Sequence, residues 1–315
     1  MGLTHFDQAP SREYSLGHLR ARWTALGEAG GSVEVGLRRI QIEPGAWSTP
    51  AHDHGRSEEL FYVLAGEGIS WQRGNVAPVG PGDCILYAPR AGEHTLRAGP
   101  GGLDVLAFGQ REHDEALRFP QLGISVLGGR AVASEGGPPD GTPVQFVREA
   151  EHGPPPLPGS GAPPGPRPST IVNLSDVAPQ EISRPRVKRA RRDLGRAVGS
   201  RRTGLNHVTV APGMLSAPLH CHSLEEEIFV ILAGEGALAL DDDETPVRAG
   251  HVICRPAGTG VSHAFRAGGG GLVLLAYGTR DPGDICFYPR SGKISFRGVG
   301  VIARLERLDY WDGED

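Results

Sequence analysis

Lysine is almost missing from this chain: of its 32 basic residues only Lys188 and Lys293 are not arginine. That leaves few candidates for Schiff-base or phosphate-loop chemistry. Long apolar runs are missing too. The longest, such as 59–65 and 272–277, are strand-sized and fall well short of the ~18 to 20 residues a membrane helix needs. Residues 1–12 are polar and lack a charged, then apolar, then small-residue export pattern, so the expected compartment is the cytoplasm. Cysteine is sparse, and the spacing of Cys84, Cys221, Cys254 and Cys286 fits neither a disulfide framework nor a CxxC zinc site. These thiols read as small buried hydrophobes. No GxGxxG, GxSxG or GxxxxGK[ST] pattern occurs, which removes dinucleotide-fold, serine-hydrolase and Walker-loop readings. Excess positive charge is also lacking: the formal charge is -5 and the pI about 6.2, so neither nucleic acid nor a membrane is expected as a partner.

Turn material, by contrast, is abundant. With 47 glycines and 27 prolines against 38% hydrophobic residues, the chain is a poor helical bundle and a good turn-dense all-β protein. Its 315 residues make about two domains of roughly 100 to 200 residues each. The sequence also repeats itself at an offset of 168: Pro50, His52, His54, Glu58, Glu59, Phe61 and Gly66 fall on Pro218, His220, His222, Glu226, Glu227, Phe229 and Gly234. A period this long means two tandem globular domains rather than a solenoid. Residues 151–168, EHGPPPLPGSGAPPGPRP, cannot build a core and read as a linker between an N-terminal domain, 1–150, and a C-terminal domain, 169–315. Within each half, β-prone runs recur about every ten residues, which favours a sandwich or closed barrel. Helix is expected only in short pieces, around Ser15–Ala25 and Lys188–Ala197.

The chemistry concentrates in histidines. In a strand, residues i and i+2 share a face, so His52 with His54, and His220 with His222, can converge on one ion. After four intervening residues come Glu59 and Glu227, far enough for a tight turn to bring a carboxylate in from the next strand. Glu58 and Glu226 compete for that role. Downstream, Gly82 to His94 and Gly250 to His263 each run through a glycine turn, an apolar strand, a proline and a glycine to a histidine, a plausible fourth ligand.

At this point the sequence resembles the cupin superfamily, whose first motif reads G, five residues, HxH, three or four residues, E, six residues, G. Gly45 to Gly66 and Gly213 to Gly234 follow it with one extra residue before HxH. The second motif departs further, in the spacing around Pro89, Gly92 and His94 and around Pro256, Gly258 and His263. Two copies resemble a bicupin. The resemblance implies two tandem double-stranded β-helix, or jelly-roll, barrels. It also implies a divalent metal in each, held by His52, His54, Glu59 and His94 and by His220, His222, Glu227 and His263. The seven-residue step from Glu59 to Gly66 and from Glu227 to Gly234 selects Glu59 and Glu227 over their neighbours. A nitrogen and oxygen ligand set suits Mn, Fe, Ni or Zn.

Other features read as structural. The nine basic residues of Arg184 to Arg202 are expected to form a solvated strap, and Cys221 to point away from the flanking histidines. Trp47, Phe61, Trp71, Phe229 and Phe265 are candidate pocket aromatics, with Phe61 and Phe229 favoured by sharing strand parity with the glutamates. Arg73, Arg255 and Arg266 are candidate anion holders, with exposure to solvent the preferred reading. The stretch Tyr277 to Lys293 is expected to be structural, covering barrel strands or bridging the domains.

Such a site permits Lewis-acid polarisation or oxygen activation on a small-molecule substrate. The expectation is a metal-dependent enzyme acting on a small oxygenated organic acid, sugar or aromatic, of decarboxylase, dioxygenase or isomerase type. The alternative is a non-enzymatic cupin that binds a small molecule or a metal. Assembly is expected as a monomer with two packed barrels or as a homo-oligomer.

Overall fold

The structure is a computed structural model that describes residues 2–127, 130–132, 144–158 and 166–314. Its strands form two eight-stranded and two four-stranded antiparallel sheets, one of each per half. In the first half the large sheet runs Ile171–Asn173, Asp83–Tyr87, Glu59–Gln72, His94–Gln110, Val35–Ile42, Leu19–Thr24, Ser11–Leu16, with Asn75–Val79 on the long hairpin. The second half repeats this order with Gly2–His5, His251–Arg255, Glu227–Leu240, His263–Thr279, Thr203–Val210, Lys188–Asp193 and Gln180–Ser183. Each half thus lends an edge strand to the other: Gly2–His5 pairs with His251–Arg255, and Ile171–Asn173 pairs with Asp83–Tyr87. This exchange covers two backbone edges that would otherwise be free to pair with another chain.

Alternation along Glu59–Gln72 explains why both halves need each other. Phe61 and Val63 face the interior of their own barrel, beside Ile40, Ile85 and Val105. Leu60 and Tyr62 face the other way, into a core shared with Leu194, Ile228, Val252, Cys254 and Tyr277 of the second half. Phe108 and Tyr277 meet there with ring centroids 4.9 Å apart. A strand buried on both faces reads as a continuous apolar run rather than an alternation. Each such side chain contributes about 1.5 to 3 kcal/mol of burial. The motif glycines have a backbone cause: Gly66 and Gly234 sit at φ 78° and 80°, beside register shifts of the long hairpins, where an added Cβ would strike the carbonyl of Gly102 or Gly271.

One helix expectation fails and the other holds only at its end. Residues 15–25 form the end of one strand and the whole of Leu19–Thr24, turning at Gly17 with φ 56°. Lys188–Asp193 is likewise a strand, followed by a single helical turn, Leu194–Ala197. In both places pairing with the neighbouring strand, and burial of one face against the barrel, override local helix preference. The four cysteines are free and buried, as composition suggested. No helix among the described residues is long and apolar enough to cross a membrane.

Candidate metal centres

In the first half, backbone pairing builds the site. His52 lies opposite His94 in an antiparallel bridge, the His94 amide donating to the His52 carbonyl at 2.9 Å. His54 ends the two-residue strand Asp53–His54, and Glu59 opens the long hairpin beside it. The Glu59 Oε2 atom lies 3.3 Å from His54 Nε2, 3.2 Å from His94 Nε2 and 4.0 Å from His52 Nε2. All four side chains bring a ligand atom within 4.8 Å of one another.

The second half has the same bridge between His220 and His263. His220, Glu227 and His263 converge within the same limit, with Glu227 Oε2 at 2.9 Å from His263 Nε2. His222 stands at the margin. Its Nε2 is 3.7 Å from Glu227, while its Nδ1 is held 2.7 Å from Asp284. His222 also groups with Glu225 and Asp284, and with His220 and Cys286. The complete quartet gathers only in the first half, among the described residues.

The imidazoles are oriented for ligation. Nδ1 of His52 and of His220 each lies 2.8 Å from a proline carbonyl, Pro50 or Pro218, which fixes the proton on Nδ1 and turns the Nε2 lone pair inward. His54 Nδ1 faces Glu115 at 3.5 Å, and His222 Nδ1 faces Asp284. Burial pushes His52 down to about 3, aided by His94 and His54, and lowers His220 to about 4, aided by His263. At His54 burial is outweighed by Glu59 and Glu115, which lift it to about 10. Glu59 is held well below the usual carboxylate range, the pull of His54 overcoming its burial.

These residues fit a divalent cation. His54 Nε2, Glu227 Oε2 and His263 Nε2 are buried and lack a well-formed hydrogen bond among the described residues. Buried polar atoms left this way call for a further partner, and imidazole nitrogen with carboxylate oxygen is a donor set for Mn, Fe, Ni or Zn.

Neighbouring glutamates divide the labour. Glu59 and Glu227 face their histidines, whereas the Glu58 and Glu226 carboxylates cross to the opposite half, on Arg201 and Arg202 amides and on those of Val33 and Val35. Phe61 lines the first cavity, and Phe229 and Phe265 the second. Trp47 and Trp71 do not; they pack in a separate cluster with Leu19 and Phe146. Arg266 is ion-paired with Glu244 at the surface and Arg73 is exposed, and neither lines the cavities beside the histidines. Arg255 is buried beside the second site, donating to the Val261 carbonyl.

Sequence reasoning missed several residues. Glu115 and Asp284 sit in irregular loop backbone where no periodicity marks them. Asp284 and Tyr288 belong to the stretch expected to be structural, yet Tyr288 lies with its ring 5.8 Å from His220. Arg189 and Arg191, assigned to a solvated strap, line the second cavity.

A family model for the cupin domain matches residues 38–104 and again 206–276. The chain carries two cupin domains. Oxalate decarboxylase from Bacillus subtilis, in a structure at pH 4.6, is 18% identical to this bicupin, with a TM-score of 0.59 over 88% of this chain and 75% of that one. A second structure of that protein, concerned with its Mn(II) centres, is 19% identical with a TM-score of 0.58 over 88% and 76%. At these identities the likeness speaks to the fold. No curated protein matches by sequence.

Proposed function

We propose that this bicupin is a metal-dependent enzyme acting on a small oxygenated organic molecule. His52, His54, Glu59 and His94 would hold one divalent ion, and His220, His222, Glu227 and His263 a second. One observation carries the reading: three imidazole Nε2 atoms lie within 4.0 Å of the single Glu59 oxygen, beside a cavity of about 440 Å³ that can admit a substrate. The Mn(II) centres named for the oxalate decarboxylase support manganese as the first ion to try.

A bound ion would supply Lewis acidity, polarising a carboxylate, carbonyl or diol oxygen. The chain's own contribution is orientation. The Pro50 and Pro218 carbonyls keep the Nδ1 protons in place. Glu115 and Asp284 fix the planes of His54 and His222. Phe119 and Tyr288, ring centroids 5.8 Å from His52 and His220, shield one side of each site from water.

The test is turnover of a panel of small acids, keto sugars and phenols by protein stripped of metal and reloaded with Mn, Fe, Ni or Zn. Product formation that requires the metal and is lost in Glu59→Gln or Glu227→Gln supports the reading. Tight binding with no product under any metal would replace it with that of a non-enzymatic binder.

A further inference from the structure

The duplicated halves share one strand order, so their differences are as informative as their matches. On the wall strand of the first barrel Ala21 pairs with Ile42 and Trp23 with Ile40; in the second, Arg189 pairs with Val210 and Arg191 with Val208. These are the same positions, 168 residues apart. Ala21 and Trp23 have become Arg189 and Arg191. Beside the metal-facing glutamates, Tyr87 opposite Glu59 has become Arg255 opposite Glu227. The ring beside the first histidine changes from Phe119 to Tyr288.

The first cavity, about 440 Å³, is walled largely by rings, Tyr14, Trp23, Phe61, Phe119 and Phe146; its two arginines are exposed at the rim, Arg38 lying over the Trp23 ring at 5.4 Å and Arg111 donating to the Ser32 carbonyl, whereas Arg189 and Arg191 of the second cavity are half-buried. Phe146, from the helix Val144–His152, stacks on Tyr14 at 4.6 Å and meets Trp23 edge-on at 5.7 Å. The indole Nε1 of Trp23 is buried and has no acceptor among the described residues. The second cavity is smaller, about 260 Å³. Arg189 donates to the Ser216 carbonyl at 2.6 Å while its buried Nε has no partner, and Arg191 donates to the neutral Gln180 side chain. Neither has a carboxylate partner among the described residues. Arg297, by contrast, is neutralised by Glu225 and Asp284.

Resting on the proposed metal sites, we propose that the two barrels have diverged in ligand class. The C-terminal one takes a small carboxylate anion against Arg189 and Arg191, and the N-terminal one takes a planar aromatic oxygen donor between Trp23 and Phe119. Two uncompensated guanidinium groups in a cavity favour an anion that can accept forked hydrogen bonds. Ring-lined walls favour a flat ligand that stacks, and the free indole N–H suits a ring oxygen.

The probes are malonate and catechol, both able to offer two oxygens but differing in charge and aromaticity, titrated calorimetrically into Mn-loaded protein. Arg191→Ala, and independently Arg189→Gln, should weaken malonate at least tenfold and leave catechol unchanged. Trp23→Leu should weaken catechol at least tenfold and leave malonate unchanged, while Trp23→Phe, which keeps a ring on the wall, should retain most catechol affinity. Quenching of tryptophan emission by catechol, lost in Trp23→Leu, gives a readout independent of metal-linked activity. Variants that weaken both probes equally, or arginine variants that leave malonate untouched, would overturn the divergence. Metal content measured on the same samples separates the two claims. Barrels without metal defeat the proposed sites, whereas loaded barrels that do not discriminate defeat only the divergence.

Discussion

Glu58 and Glu59 are consecutive residues whose carboxylates serve opposite halves of the molecule. Glu59 meets His54 and His94 in its own barrel, while Glu58 accepts from the Ser200 hydroxyl at 2.7 Å and from the Arg201 and Arg202 amides at 3.0 and 3.1 Å. The second half mirrors it: Glu226 accepts from the amides of Val33 and Val35, beside Glu227 in the histidine cluster. Strand alternation sends the two neighbours in opposite directions, so each candidate metal site sits one residue from a clasp between the halves.

The clasps have a measurable cost when broken. Glu58→Ala or Glu226→Ala leaves buried amides without an acceptor, and a loss of about 2 to 4 kcal/mol is expected. Glu58→Gln and Glu226→Gln, which keep one acceptor oxygen, should lose less. Chemical denaturation followed by tryptophan emission checks this, and alanine variants as stable as the wild type would show that the clasps carry no weight.

Residues behind the histidines should tune ion affinity without contributing a ligand. Removing the charge of the Nδ1 partner, by Glu115→Gln in the first half or Asp284→Asn in the second, should weaken metal binding about 10- to 100-fold in that barrel alone. Chelator competition resolves the two sites. Equal weakening of both, or none, would contradict the roles given to Glu115 and Asp284.

How much of this could be read from the chain alone follows from what strands do to neighbours. The barrel and the HxH and glutamate sets were legible because duplication printed the same pattern twice. The strands at Ser15–Ala25 and Lys188–Asp193, where helix was expected, were not, because Ala21, Trp23, Arg189 and Arg191 take their conformation from strands distant in sequence. The same ignorance of register hid the arginine wall: until Arg191 is known to pair with Val208, nothing says that its side chain turns inward. Yet the offset that matched His52 to His220 also sets Trp23 against Arg191, and that mismatch was a readable signal of divergence.

A pH effect is expected away from the candidate metal sites. Burial, assisted by Arg192, pushes His207 down to about 4. Its folded-state pKa lies below its unfolded value, so between about 6.5 and 4 the unfolded chain binds the extra proton and stability falls as pH drops. His207→Gln should shrink the fall in thermal midpoint across that window. Parallel profiles for the variant and the wild type would show that His207 does not titrate on unfolding.

Metal stoichiometry of the purified chain tests the central claim most directly. By elemental analysis, wild-type protein loaded with Mn should carry up to two ions, one per barrel. His52→Ala should lose the first and keep the second, and His220→Ala the reverse. Unchanged metal content in both variants would contradict the assignment of the histidine clusters as metal sites.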